Sequence, residues 1–163
     1  MNGIEFHRSR RFMWAWDRKI SAWSDVRNEL NGRRKVGETA VYSENADGSQ
    51  GSPYMPRTFP LGNWLVTGVV PHPDKVKDHY LYPFFISTNA HQAVEVWEVD
   101  AAGRYVKATG RMVEDYGYGN HFSDSLTTLG CIRDETEADL RWVVDFIRTA
   151  VSDGDQVPFL VVE

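Results

Sequence analysis

Gly119-Asn120-His121-Phe122-Ser123-Asp124-Ser125-Leu126-Thr127-Thr128-Leu129-Gly130-Cys131-Ile132-Arg133 holds the only cysteine of the chain and, ten residues before it, a histidine. A thiol attacks as its thiolate, and an imidazole within hydrogen-bond reach can take the proton at neutral pH, so a Cys/His pair is a minimal unit for covalent catalysis, and Cys131 and His121 are the candidate nucleophile and base. Gly130 leaves room for a tight backbone path into Cys131. Gly117 and Gly119 punctuate an aromatic approach through Tyr116 and Tyr118 to His121. The local reading is strand, loop, nucleophile, helix. Taken alone, a single cysteine is more often a small buried hydrophobe, and a histidine near aromatics a packed side chain. The sequence around the pair is what favours chemistry.

Downstream of Cys131 the period changes. Asp134 or Thr136 can cap a helix, Glu135, Glu137 and Asp139 crowd its positive end, and Leu140, Val143, Val144, Ile147 and Val151 form one apolar stripe. Gly154 ends the turn that follows, and Val157 to Val162 reads as a closing strand. Upstream, Leu81 to Ser87, Ala93 to Val99 and Tyr105 to Thr109 read as strands. Asp100-Ala101-Ala102-Gly103 is a hairpin turn between the last two, and Met112 to Tyr118 delivers the chain to His121. Asn63 to Val70 is another strand, entered through a turn at Pro60 and Gly62. Ser43 to Pro60 is loop by composition, with Gly48, Gly51, Pro53, Pro56 and Pro60. Val36 to Tyr42 reads as a strand. Phe12, Trp14 and Trp16 alternate, so residues 12–23 are expected to be two strands around Asp17-Arg18-Lys19, although Phe12, Trp16, Ile20 and Trp23 also fit helical spacing.

The segment His121, then Thr128-Leu129-Gly130-Cys131-Ile132-Arg133, resembles the L,D-transpeptidase catalytic domain (YkuD-like), whose signature is a histidine, a short loop, and Ser/Thr-His-Gly-Cys continued by Ile or Val and Arg. Leu129 stands where that family has its second histidine, and Phe122 where it has glycine. The short His-to-Cys interval is more similar to the compact branch among secreted peptidoglycan-cleaving toxins. Thr58-Phe59-Pro60-Leu61-Gly62-Asn63-Trp64 resembles the Thr-Pro-x-Gly turn that precedes a core strand in such domains, with Phe59 inserted. The resemblance spans roughly residues 36–163, most strongly 121–133. It implies a mainly β fold, an L,D-transpeptidase-like sandwich or barrel with one principal C-terminal helix, as a single domain over residues 1–163.

It also implies function. Cys131 would attack an amide of a peptidoglycan stem peptide, with His121 as base, and an amine or water would resolve the acyl-enzyme. Backbone N–H groups around Gly130 and Cys131 would form the oxyanion hole, and Thr128 would orient His121. Arg133 suits a substrate carboxylate, because its planar fork binds one bidentately, but it can instead pair with Glu135 or Glu137. Tyr118 and Asn120 are further candidates for substrate contact. No cofactor is implied. An effector of this kind would also meet an immunity or delivery protein. The site would act in the periplasm or cell envelope, and, with no recognisable signal peptide, that requires another export route or a removed leader. The rival reading is a non-catalytic wall- or glycan-binding β-domain using Trp14, Trp16, Trp23, Trp64 and Trp97. A cytosolic cysteine hydrolase is a third.

Composition restricts the remaining classes. At 163 residues the chain fits one domain that buries about 70% of its unfolded surface. A net charge of −5 argues against a nucleic-acid partner, since Arg8, Arg10, Arg11 and Arg33, Arg34, Lys35 are short clusters offset by acids. One cysteine excludes an internal disulfide. The apolar runs, such as Tyr80 to Ile86, fall short of the roughly 20 residues of a membrane span, and Phe12 to Trp16 is too short for a signal-peptide core. His72 and His79 lack neighbouring ligands, so no metal is expected. Acids near Cys131 (Asp134, Glu135, Glu137, Asp139) are expected to raise its pKa.

Overall fold

The computed structural model describes residues 2–26, 41–44, 50–101, 104–123 and 130–163; at 41–44, 50 and 51 it describes backbone only. The chain is mainly β, as expected from the alternating patterns. The strands are β1 (Ile4–His7), β2 (Phe12–Ala15), β3 (Arg18–Trp23), β4 (Val41–Glu44), β5 (Gln50–Tyr54), β6 (Gly62–Pro71), β7 (Phe84–Thr88), β8 (Gln92–Val99), β9 (Tyr105–Asp115), β10 (Gly119–Phe122), β11 (Ile132–Asp134) and β12 (Pro158–Val162), and α1 spans Glu137–Ser152. Eight strands close a barrel in the order β1-β12-β6-β7-β10-β11-β3-β2, and β4-β5-β8-β9 form a separate four-stranded sheet.

The aromatic alternation of residues 12–16 belongs to a hairpin. β2 pairs antiparallel with β3, Met13 opposite Ile20 and Ala15 opposite Arg18. Met13, Ala15, Ile20 and Ala22 point into the core while Phe12, Trp14 and Trp23 lie half-buried on the other face, the period-2 division of a strand with one covered side. β1 runs parallel to β12, with Ile4 beside Phe159 and Phe6 beside Val161, and so ties the two ends of the described chain together.

α1 starts where the sequence places it. Thr136 is the cap, its hydroxyl accepting from the Asp139 N–H at 3.1 Å, with Glu137 and Asp139 in the first turn. Leu140, Val143, Val144 and Ile147 are buried, and the helix lies against β7, β10 and β11. Val151 is 60% exposed, outside the stripe assigned to it, one residue before the helix ends, whereas Ala150 in the same turn packs against the core.

Three boundaries differ from the sequence reading. The expected loop of residues 43–60 contains β5, which pairs with β4 and meets β8 at Tyr54 and Val96, continued by the Met55 N–H to the Glu95 carbonyl. Pairing partners distant in sequence thus override a Gly/Pro composition. Tyr105 to Asp115 is one long strand with an irregularity between the Glu95 and Trp97 partners, where Gly110 takes φ +76°. Leu81 and Tyr82 precede β7 rather than forming its start. Of the expected strand at residues 36–42, residues 36–40 lie outside the described residues, as do Ala102 and Gly103 of the hairpin turn.

Candidate active site

β10 and β11 lie side by side and run parallel, Asn120 beside Ile132, His121 beside Arg133 and Phe122 beside Asp134. Neighbouring register positions share a face, so the pair has two faces of different chemistry. One carries Asn120, Ile132 and Asp134 into the core with Ile86. The other carries a row across four strands, Phe85 on β7, His121, Arg133 and Trp23 on β3, set by the registers His121 to Phe85 and Arg133 to Trp23. The Phe85 and His121 rings are 6.2 Å apart, and the Arg133 guanidinium carbon stands 5.5 Å from the centre of a Trp23 ring.

Cys131 directly precedes β11. Continuing the register by one residue puts it beside Gly119, on the face of His121, and its sulfur does interact with the backbone of Gly119 and of Gly117, whose carbonyl lies 3.8 Å away. Strand spacing and rise place the Cα atoms of His121 and Cys131 roughly 8 Å apart on that basis. Gly119 is obligatory here: a Cβ would stand 2.3 Å from the Phe85 ring and 2.4 Å from the Ile86 carbonyl oxygen.

The two side chains do not hydrogen-bond each other. His121 Nδ1 is 3.3 Å from the Phe122 carbonyl oxygen, and the ring also meets the Tyr80 carbonyl. Burial brings its pKa down from 6.5 to about 4, with Arg133 pushing the same way, so the imidazole is neutral at pH 7. The Cys131 residue is half-buried, yet its sulfur is desolvated, and that burial pushes the thiol from 9.0 to about 11. The adverse charge is Asp115, not the helix-end acids named from sequence. At rest the site is a neutral thiol near a neutral imidazole.

The other candidates have distinct surroundings. Gly130 takes φ +120°, where a side chain would be strained, and its carbonyl accepts from Ser24 Oγ at 2.8 Å, while Ser24 Oγ accepts from the Phe59 N–H at 2.9 Å. Thr128 and Leu129 lie outside the described residues. Arg133 is fully buried, and Glu137, its suggested partner, pairs with Arg141 at 3.0 Å. Asn120 faces the core, where its Nδ2 donates to Asp134 Oδ1 at 2.8 Å and to the Ile132 carbonyl at 3.2 Å. Tyr118 is also interior: its hydroxyl donates to Asp115 Oδ2 at 2.7 Å and accepts from Gln92 Nε2 at 2.8 Å, and its ring lies where a Gly130 Cβ would go. Both residues brace the site from beneath.

Asp115, Tyr54 and Gln92 were not singled out from sequence. Asp115 accepts from Tyr54 as well as Tyr118, and burial raises its pKa. Gln92 Nε2 also donates to the Thr58 carbonyl at 2.7 Å, tying the segment before β6 to Tyr118 and thence to Gly130. The signal lay in Asp115-x-x-Tyr118, a short spacing just ahead of the glycine-rich approach to His121.

Of the tryptophans named for the rival reading, Trp14, Trp16, Trp23, Trp64 and Trp97 are each half-buried. Trp16 packs on Phe146, Trp64 on His91 and Trp97 on Tyr105, so they do not form one exposed row. Among the described residues no group of three or more His, Cys, Asp or Glu could hold a metal ion, and no helix is long and apolar enough to cross a membrane. Comparison with family models, curated proteins and solved structures found no match.

Proposed function

We propose that the chain is a cysteine-dependent L,D-transpeptidase or L,D-carboxypeptidase of peptidoglycan stem peptides, working in the periplasm or cell envelope through an acyl-enzyme. The observation that carries this reading is the parallel register of β10 and β11, which sets His121 and the approach to Cys131 on one face. Further support is the order in which the resembled motif, a capped helix and a final strand follow one another. An L,D-transpeptidase-like form of the barrel belongs to the same proposal.

In the reaction, the His121 ring leaves the Phe122 carbonyl and takes the Cys131 proton. The thiolate attacks the amide carbon, and N–H groups at Gly130 and Cys131 face the developing oxyanion. His121 returns the proton to the departing amine nitrogen as the C–N bond breaks, leaving a thioester. An incoming amine or water, deprotonated by His121, then breaks the thioester and restores the thiol. The resting pair sets the energetic demand. Burial raises the thiol and lowers the imidazole, so forming the thiolate–imidazolium pair is uphill from the resting state, and the attraction between the two charges offsets part of that cost.

The test is turnover of a stem tetrapeptide by the wild type, Cys131→Ala and His121→Ala, with circular dichroism on each. Loss of product in both folded variants supports the pair; wild-type activity in either removes that residue from the chemistry.

A further inference from the structure

A cleft of about 520 Å³ lies between the four-stranded sheet and the segment leading from β5 to β6, within the range of small-ligand sites. On β8 the side chains alternate, Val94 and Val96 buried, Glu95 and Trp97 half-buried, and Glu95 and Trp97 line the cleft. The register of β8 with β9 puts Met112, 51% exposed, beside Glu95. Among the described residues, Val26 and residues 55–58 also line it.

Two opposite charges in this cleft have no ion-pair partner among the described residues. Arg57 is exposed, and its guanidinium makes one long bond, 3.4 Å, to the Ala93 carbonyl. Glu95 accepts from the Gly110 N–H at 3.1 Å through one oxygen. The remaining lining is largely apolar: Val26, Met55, Pro56, Trp97 and Met112. An apolar cleft holding one unpaired cation and one unpaired anion complements a ligand with the reverse arrangement. The same wall also adjoins the residue before the cysteine. The Arg57 carbonyl oxygen stands 2.7 Å from where a Gly130 Cβ would be, so one segment presents its side chain to the cleft and its backbone to the Gly130-Cys131 turn.

We infer that this cleft binds a zwitterionic peptide, its carboxylate on Arg57, its ammonium on Glu95 and its apolar portion against Trp97 and Met112. Binding stands on the cleft alone; its service as the substrate's anchor rests on the cysteine chemistry proposed above.

The experiment titrates folded Cys131→Ala protein, which cannot turn over, with alanine di-, tri- and tetrapeptides bearing free ends, followed by amide and indole NMR shifts. The expected result is saturable shifts at Trp97, Met112 and Met55, with one peptide length preferred. Acetylating the amine or amidating the carboxylate weakens binding about tenfold or more, the worth of a charge-assisted bond. In Arg57→Ala the carboxylate cap no longer matters, and in Glu95→Gln the amine cap no longer matters. Shifts confined to other surfaces, indifference to both caps, or no binding up to about 10 mM overturns the inference. A wild-type adduct on Cys131 alongside such a result leaves the chemistry standing and removes only the cleft.

Discussion

Asp134→Asn should stabilise the protein, and by more as the pH rises. Asp134 is fully buried, and burial moves its carboxyl from 3.8 to about 8, with Asn120 opposing and Asp139 adding to the shift. The folded state therefore holds a proton that the unfolded chain releases above 3.8. Stability from this group is complete below that value and is lost progressively as pH rises towards 8. Between pH 4 and pH 8 the loss comes to about 5 kcal/mol at 1.36 kcal/mol per unit. The amide removes the titration and keeps the shape. It also offers a donor: Asp134 Oδ2 and Asn120 Oδ1 are both buried without a hydrogen-bond partner, and Asn120 Nδ2 already reaches Asp134 Oδ1 at 2.8 Å. His121 works in the opposite sense. Its lowered value costs stability as pH falls from 6.5 towards about 4, but it is common to both proteins and cancels in the difference. Urea denaturation of the wild type and variant at pH 4, 6 and 8 measures the effect. The two should be alike at pH 4 and the variant several kcal/mol more stable at pH 8. A difference that stays flat with pH would refute a buried, protonated Asp134.

Two further outcomes follow from the site. Cys131 should react with iodoacetamide about a hundredfold more slowly at pH 8 than a thiol of pKa 9.0, with the rate rising until about pH 11; a midpoint near 9 would show that the sulfur is not desolvated. Gly119→Ala should cost about 3 kcal/mol in denaturation, because its Cβ meets the Phe85 ring and the Ile86 carbonyl at under 2.5 Å; a near-neutral change would mean that β7 yields there.

Local patterns were legible in the sequence, and long-range closure was not. The alternation Phe12, Trp14, Trp16 identified the β2–β3 hairpin, and the stripe Leu140, Val143, Val144, Ile147 identified α1, since each element carries its own period. β1 escaped because its four residues form a strand only by pairing with β12, at the other end of the chain. β5 escaped because Gly51, Ser52 and Pro53 read as loop until β4 and β8 supply partners. At the site, spacing suggested His121 and Cys131, yet only the register shows which neighbours share their face. The same register turns Asn120 inward, away from the substrate role assigned to it, and burial does the same for Tyr118. Asp115 had only its short spacing to Tyr118 to mark it, because its meaning depends on Tyr54, Tyr118 and the nearby sulfur meeting in three dimensions.

The central claim is that Cys131 is a nucleophile, and acyl-adduct formation tests it most directly. Wild type and Cys131→Ala are incubated separately with a carbapenem and with a stem tetrapeptide, then analysed by intact-mass and peptide mass spectrometry. The account predicts an acyl mass on the Cys131 peptide with at least one of them, absent in the variant, with the terminal D-residue of the tetrapeptide released or exchanged. An unmodified Cys131 and unchanged fragments, from a folded protein that still sediments with purified cell wall, would contradict it in favour of a binding domain.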